Sequence, residues 1–577
     1  MKNSGFSLFL QVWLSVFATL GHMAASAQQT QRPDAGSLQE PQSQIPLLPQ
    51  PGAPQIVLPQ ATPTMPVQET VRITPLAFRF EGNTVFDSEH LSALLADEVK
   101  RPTNLAGLND LAALVSRYYR ERGYLLTEVY LPEQALQATG GTVTLVVIEA
   151  RVGKVQVRVE DDNGSVSFAR RVVATNLKPG TLITENLLDK PVLLLRDLAG
   201  IEASASVAPG ERLGEADVTV TIRSQGTLVD GSVGTNNFGS GSVGSTQLYV
   251  DLNVSNMLGR GDVFSARVQT SEASRGNLYR LNYALPVAAS GMRLALSAVQ
   301  TSYALGRQFA ALGASGKAEI LGAFLTHPLV RARQKNLYGQ WAVEQKKFED
   351  KISTPANDSE RQILAMRLGL LGNYMDTVGG AGSFSSYALN ATFGYVKLDA
   401  ANQAIDQGTG GQRTAGEFSK LNLEYQRVQY FGSASSLHLN FLAQQASKNL
   451  ASAEKMALGG PSGVRGYPVG EGVGDAGQLL SLEYRYHLPA SMTLVGEPVS
   501  LAVFYDHGVV KLNQDDATSA GAANQMVLGA VGIGALAGRV NSFRISTYLA
   551  WRTTHASPTT GDPDQSPRAW VSAQKWL

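Results

Sequence analysis

A chain of 577 residues with 48 basic and 48 acidic side chains has no net charge with which to attract nucleic acid. It holds no cysteine, which excludes disulfides, thiolate nucleophiles and cysteine-ligated zinc together. Only 17% of its residues are charged, where about a quarter is usual for a soluble protein, so a membrane location comes into view.

Residues 1–27 read as a secretory signal peptide. Lys2 precedes an apolar run from Phe6 to Leu20, and Ala25-Ser26-Ala27 forms a small-x-small cleavage site. The run is short and broken by Gln11, which argues against a membrane anchor. No later window approaches eighteen uninterrupted apolar residues, so a membrane-embedded mature chain must be a closed β-barrel.

Residues 28–70 are rich in Gln and Pro ("PQSQIPLLPQPGAPQIVLPQATPTMP") and read as an extended linker that buries no core. Within them "PDAGSLQE" (33–40) predicts a short helix capped by Asp34, too short to be stable alone. From residue 71 the texture changes. "PLAFRFEGNTVF" reads as a strand, and "DSEHLSALLADEV" and "GLNDLAALVSRYYRERG" read as helices. "YLLTEVYLP" and "TVTLVVIEA" read as strands. Residues 151–225 repeat this β-α-α-β-β order, from "KVQVRVE" to "ADVTVTIRSQ". The expectation is two small α+β modules, 71–150 and 151–225.

Over residues 226–577 helical periodicity gives way to alternation. In "QLYVDLNVSN" Leu248, Val250, Leu252 and Val254 share one face, against Tyr249, Asp251, Asn253 and Ser255 on the other. "LLSLEYRYHL" sets Leu480, Leu482, Tyr484, Tyr486 and Leu488 against Glu483, Arg485 and His487. A β-sandwich also alternates, but here the polar face stays charged in strand after strand and the span exceeds one ordinary sandwich. Apolar-out, polar-in strands predict a transmembrane barrel, and about 22 residues per strand with its turn gives about 16 antiparallel strands.

One stretch resists the hairpin pattern: "GGPSGVRGYPVGEGVGDAG" (459–477) spends eight glycines in nineteen positions around a single arginine. Ordinary hairpins need two to five loop residues. With the export signal, the Pro-rich linker, the tandem modules and the barrel, it resembles the two-partner secretion transporters of the outer membrane (ShlB/FhaC/HecB-like, Omp85 superfamily). "VRGY" (Val464, Arg465, Gly466, Tyr467) matches that family's motif at the tip of a loop folded back into the barrel. "FYDHG" matches its F-x-D-x-G strand motif through Phe504, Asp506 and Gly508. "NNFGS" (236–240) and "NMLGRGD" (256–262) resemble the opening barrel strands, and "PDAGSLQE" the start of a plug helix. The chain ends in "AQKWL", so the usual terminal aromatic is shifted to Trp576.

The resemblance implies periplasmic POTRA-like modules that bind an unfolded exported partner, an adhesin, haemolysin or contact-dependent toxin. It implies ATP-independent passage to the cell surface, contact with outer-membrane lipid, and biogenesis through periplasmic chaperones and the barrel-assembly machinery. It also implies that Arg465, in a confined polar lumen, pairs with Asp506, with Glu483 on the polar face of a second strand. No nucleic acid, cofactor or catalytic residue is expected. "GGPSGVRG" lacks the Lys-Ser/Thr of a phosphate loop, Asp506 and His507 point to opposite faces, and the seven histidines show no metal spacing. An insertase of the same superfamily is the alternative, although such relatives commonly carry more modules. A plugged nutrient receptor would need more than residues 28–70 for its plug.

Overall fold

The computed structural model describes residues 33–38, 54–58 and 72–577, except 135–140, 162–165, 355, 516–522, 555 and 561. The expected signal peptide and most of the linker lie outside the described residues.

The first module opens with strand Pro75–Glu81. Helix Ser88–Leu94 follows, started by the Asp87 carboxylate accepting from the His90 N–H at 2.7 Å. Asn104 caps helix Leu105–Glu121 in the same way, on the Gly107 N–H at 2.8 Å. Strand Gly141–Ile148 lies between Pro75–Glu81, to which it is parallel, and Glu128–Tyr130, to which it is antiparallel. The helices cover this sheet with Leu91, Leu108, Val115 and Tyr119 against Phe78, Phe80, Val143 and Leu145. Glu149 is buried at the sheet's end. It accepts the N–H groups of Thr84 and Val85 at 2.8 and 2.9 Å and the Tyr119 hydroxyl at 3.1 Å. Burial, reinforced by this carboxylate, pushes the Tyr119 phenol well above its ordinary value.

The second module repeats the order with strand Arg151–Asp161, helices Val166–Asn176 and Glu185–Arg196, and strands Ile201–Pro209 and Glu215–Ser224. A further strand joins it from outside the repeat. Gln55–Val57 of the linker lies parallel to Ile201–Pro209, setting Gln55, Ile56 and Val57 beside Ser204, Ala205 and Ser206. The linker thus covers one edge of this sheet, a device the Pro-rich composition did not predict.

Sixteen antiparallel strands, from Leu228–Asn236 to Arg568–Trp576, close into a barrel. The last strand pairs with the first from Ser572 opposite Asn236 to Trp576 opposite Ser232. The alternation seen in the sequence sets the faces. Leu248, Val250 and Leu252 are exposed on the outside while Tyr249 is buried inward. Asp251 pairs inward with Arg267 at 2.7 Å. Tyr484 and Tyr486 point out and Glu483 points in. Such a barrel leaves no free sheet edge in lipid and pairs its backbone groups between strands. Among the described residues no helix is long and apolar enough to cross a membrane.

One expectation needs correction. "NNFGS" and "NMLGRGD" are mainly the turns on either side of strand Gln247–Ser255, and only Asn236 reaches into a strand. In the second, Asn256 adopts φ 58° and Asp262 gathers the Leu258 N–H at 3.1 Å, chemistry suited to a turn. Of "PDAGSLQE" residues 39 and 40 lie outside the described residues; residues 33–38 form a turn, capped by the Asp34 carboxylate on the Ser37 N–H at 2.7 Å. Its partners lie in the barrel: Asp34 meets Arg361 at 3.2 Å and Ser452 Oγ at 2.6 Å, and the Ala35 N–H donates to Asp350 at 2.8 Å. Within the turn the Leu38 N–H also donates to the Asp34 carbonyl at 3.1 Å.

Candidate functional site

Residues 447–475 connect strands Ser435–Ala446 and Ala476–His487 and turn back into the lumen. A two-stranded stem forms where Met456 and Ala457 pair with Gly474 and Val473. At the tip, the Val464 N–H donates to the Leu458 carbonyl at 2.7 Å. Val464 and Leu458 then fill an apolar cluster with Leu479, Val510 and Leu528 of the wall.

Arg465 projects from this tip onto two strands. Its Nε and Nη2 donate to the two oxygens of Asp506, each at 2.8 Å, in a two-pronged pair. Nη1 donates to Glu483, and Nη2 also reaches Ser481 Oγ at 3.2 Å. The guanidinium carbon lies 3.4 Å from the centre of the Phe504 ring. The Arg465 N–H bonds Asp506 at 3.1 Å, and the Trp570 indole donates to the Arg465 carbonyl at 2.8 Å. Arg485 completes the group on Glu483 at 2.6 Å. Two cations and two carboxylates balance in a site where the Asp506 side chain is 0% exposed and that of Arg465 6%. Burial at this depth is tolerable only because each charge is paired and hydrogen-bonded.

The spacing of the strand motif now has a physical reading. Phe504, Asp506 and Gly508 are two residues apart and face the lumen together. Phe504 stacks under the guanidinium and Asp506 binds it. Gly508 makes room, because a Cβ there would sit 2.9 Å from Leu458 Cδ2. Gly466 serves the loop likewise, since a Cβ there would meet Ala530 Cβ at 2.9 Å and Arg552 Cγ at 3.0 Å. Tyr467 is fully buried, its hydroxyl 2.7 Å from Thr554 Oγ1.

Three further carboxylates hold the loop along its length. Glu454 lies between Lys346 and Lys420 at 2.8 and 2.9 Å. Glu471 accepts the Thr559 N–H and hydroxyl at 2.8 and 2.7 Å. Asp475 accepts the Gln514 N–H at 2.7 Å and pairs with Lys455 at 3.0 Å. Sequence reasoning missed them, although for Glu471 and Asp475 an acidic side chain inside the glycine-rich stretch was the available signal. Among the described residues no three His, Asp or Glu converge as a metal ion would require.

The profile of the haemolysin secretion/activation proteins ShlB/FhaC/HecB matches residues 214–535, and that of the ShlB-type POTRA domain matches residues 74–150. The chain belongs to the ShlB/FhaC/HecB family. Among its relatives, the heme/hemopexin transporter protein HuxB of Haemophilus influenzae is 26% identical over 483 residues, covering 83% of each chain. The outer membrane transporter CdiB of Dickeya dadantii is 23% identical over 490 residues, covering 82% of this chain and 83% of its own. CdiB from Escherichia coli superposes with a TM-score of 0.67 at 19% identity, over 91% of this chain and 94% of that one. As a ShlB/FhaC/HecB protein of the two-partner secretion transporters, the chain resides in the outer membrane with its POTRA domain in the periplasm.

Proposed function

We propose that this chain captures an unfolded exported partner protein in the periplasm and passes it through its barrel to the cell surface without ATP. The observation that carries this reading is the lumen loop, held by Arg465 on Asp506 and Glu483 inside a barrel that follows directly from the second module. In this reading the loop blocks the lumen at rest, its tip locked by Arg465 and its length by Glu454, Glu471 and Asp475. The motif residues Val464 to Tyr467, Phe504, Asp506, Gly508 and Glu483 form this latch, and the protein acts as a transporter rather than an enzyme. The family's description as haemolysin secretion/activation proteins supports a secreted protein as cargo, and the names of HuxB and CdiB support a transporter.

The second module serves, in this reading, as a second POTRA domain. A sheet edge recognises any extended segment through backbone hydrogen bonds, whatever the side chains. At Ile201–Pro209 that edge carries residues 55–57, so the linker stands where a passenger strand would add. The deciding experiment deletes residues 71–225 and measures release of a co-expressed exported partner protein. The barrel should insert without secretion, and normal release would refute the proposal.

A further inference from the structure

The second module is fastened to the barrel by carboxylates that take no part in the lumen latch. Asp197, at the end of helix Glu185–Arg196, receives Arg331 on both oxygens at 2.9 and 2.7 Å. Asp189, about two turns earlier, receives Arg333 in the same two-pronged manner at 2.6 and 2.9 Å. The Asp189 side chain is 1% exposed and that of Arg331 3%. The remaining Nη1 of Arg331 reaches Asn336 at 2.9 Å, and Asn336 donates to Asn373 at 2.8 Å. The second forked pair and this chain of amides tie the helix into the barrel's periplasmic rim.

Apolar contacts surround these pairs. A Cβ at Gly291 would lie 2.5 Å from Leu194 Cδ2, and one at Gly261 2.5 Å from Leu198 Cβ. Arg293 donates to the Asp197 carbonyl at 2.9 Å, and Asn176 to the Ala289 carbonyl at 3.1 Å. Three successive periplasmic turns, 256–262, 287–292 and 332–334, therefore grip one module. Adhesion alone would be served as well by apolar residues in place of both partners of each pair, because buried ion pairs add little net stability over well-packed apolar groups. What two planar forks add is a single permitted orientation.

We propose that Asp189 with Arg333, and Asp197 with Arg331, form a positioning clamp. It fixes the second module beneath strands Gln247–Ser255 to Lys335–Ser353, so that a segment added to the module's edge is aimed at the lumen. This rests on the transporter reading above.

The chain has no native cysteine, so two introduced ones carry spin labels unambiguously. Leu213→Cys on the module and Val378→Cys on a periplasmic turn, both well exposed, report their separation in the full chain in bilayers. One narrow distance distribution is expected, broadening several-fold in Asp189→Asn/Asp197→Asn. In cells that double variant should insert as a heat-modifiable barrel. It should also still cross-link a co-expressed exported partner protein from a photoreactive residue at Ser206, while secretion falls at least tenfold. Capture without release is the signature of lost aim, whereas a merely structural role would lose both. An unchanged narrow distribution, full secretion from a broadened one, or loss of capture along with secretion would each overturn the clamp. Failure of the unaltered chain to secrete would count against the transporter reading, while the distance measurement still decides the clamp.

Discussion

Arg465 and Asp506, 41 residues apart in the chain, meet inside the barrel through two N–H···O bonds of 2.8 Å. The pair is not isolated, since Glu483 shares the guanidinium and is itself shared with Arg485. Arg465→Ala therefore strands Asp506 with only neutral partners such as the Ser481 hydroxyl at 2.7 Å. Breaking a buried pair in this way costs about 3–5 kcal/mol. Asp506→Ala leaves Arg465 its second carboxylate and should be the milder change. Both should reduce secretion sharply, Arg465→Ala more so, with the barrel still inserted and residues 459–477 more open to protease. Exchanging the two charges should recover little, because an aspartate at position 465 would face Glu483. Full secretion by both alanine variants with an unchanged digestion pattern would refute the docked pair.

Tyr467 separates packing from hydrogen bonding in the same loop. Its ring is fully buried, and its hydroxyl meets Thr554 at 2.7 Å. Tyr467→Phe removes one hydrogen bond, about 0.5–1.5 kcal/mol, and should leave secretion within a few-fold of normal. Tyr467→Ala removes the ring, at about 3–5 kcal/mol, and should approach the Arg465→Ala phenotype. Equal secretion from the two variants, measured as passenger in the medium, would show that the ring does not anchor the loop.

The linker strand gives a prediction about affinity. Ile56 pairs with Ala205 in the middle of the three-residue contact. Proline at position 56 lacks the N–H and disfavours an interior ladder position. Ile56→Pro should free the edge of Ile201–Pro209 and tighten binding of an extended passenger segment, read by fluorescence anisotropy on the full chain. Unchanged or weaker binding would mean that the passenger uses another edge.

What was legible in the sequence followed from short-range periodicity. Alternation told Leu248 from Tyr249 and Tyr484 from Glu483, because side-chain direction in a strand is decided within two residues. The glycines around Arg465 announced a confined loop, and the F-x-D-x-G spacing placed Phe504, Asp506 and Gly508 on one face. Contacts that depend on how distant segments meet were not legible. Trp570 on the Arg465 carbonyl, Asp189 on Arg333 and Gln55–Val57 on Ser204–Ser206 join residues whose nearness only tertiary packing creates. A carboxylate between leucines in helix Glu185–Arg196 was visible, but it carried no sign of its partner. The docking of "PDAGSLQE" was hidden for the same reason, since Asp34 and Ala35 meet Asp350, Arg361 and Ser452, hundreds of residues away.

That N-terminal turn supports a prediction about the pore. Asp34 bonds Arg361 at 3.2 Å and Ser452 at 2.6 Å, and Ala35, almost fully buried, donates to Asp350 at 2.8 Å. Ser452 belongs to the base of the lumen loop, so the turn is held jointly by the wall and by the loop. Asp34→Ala removes hydrogen bonds to a charged group, at about 1.5–3 kcal/mol. That shifts the ratio of docked to released turn by about tenfold to a hundredfold. If the turn narrows the lumen, conductance in planar bilayers should rise in Asp34→Ala and rise further when residues 28–70 are deleted. Ser452→Ala should move in the same direction by a smaller step, because Arg361 still holds the carboxylate. The latch at Arg465 lies elsewhere in the lumen, so protease protection of residues 459–477 should persist in Asp34→Ala. Currents that match the unaltered protein in both Asp34→Ala and the deletion would show that the turn docks without restricting the pore.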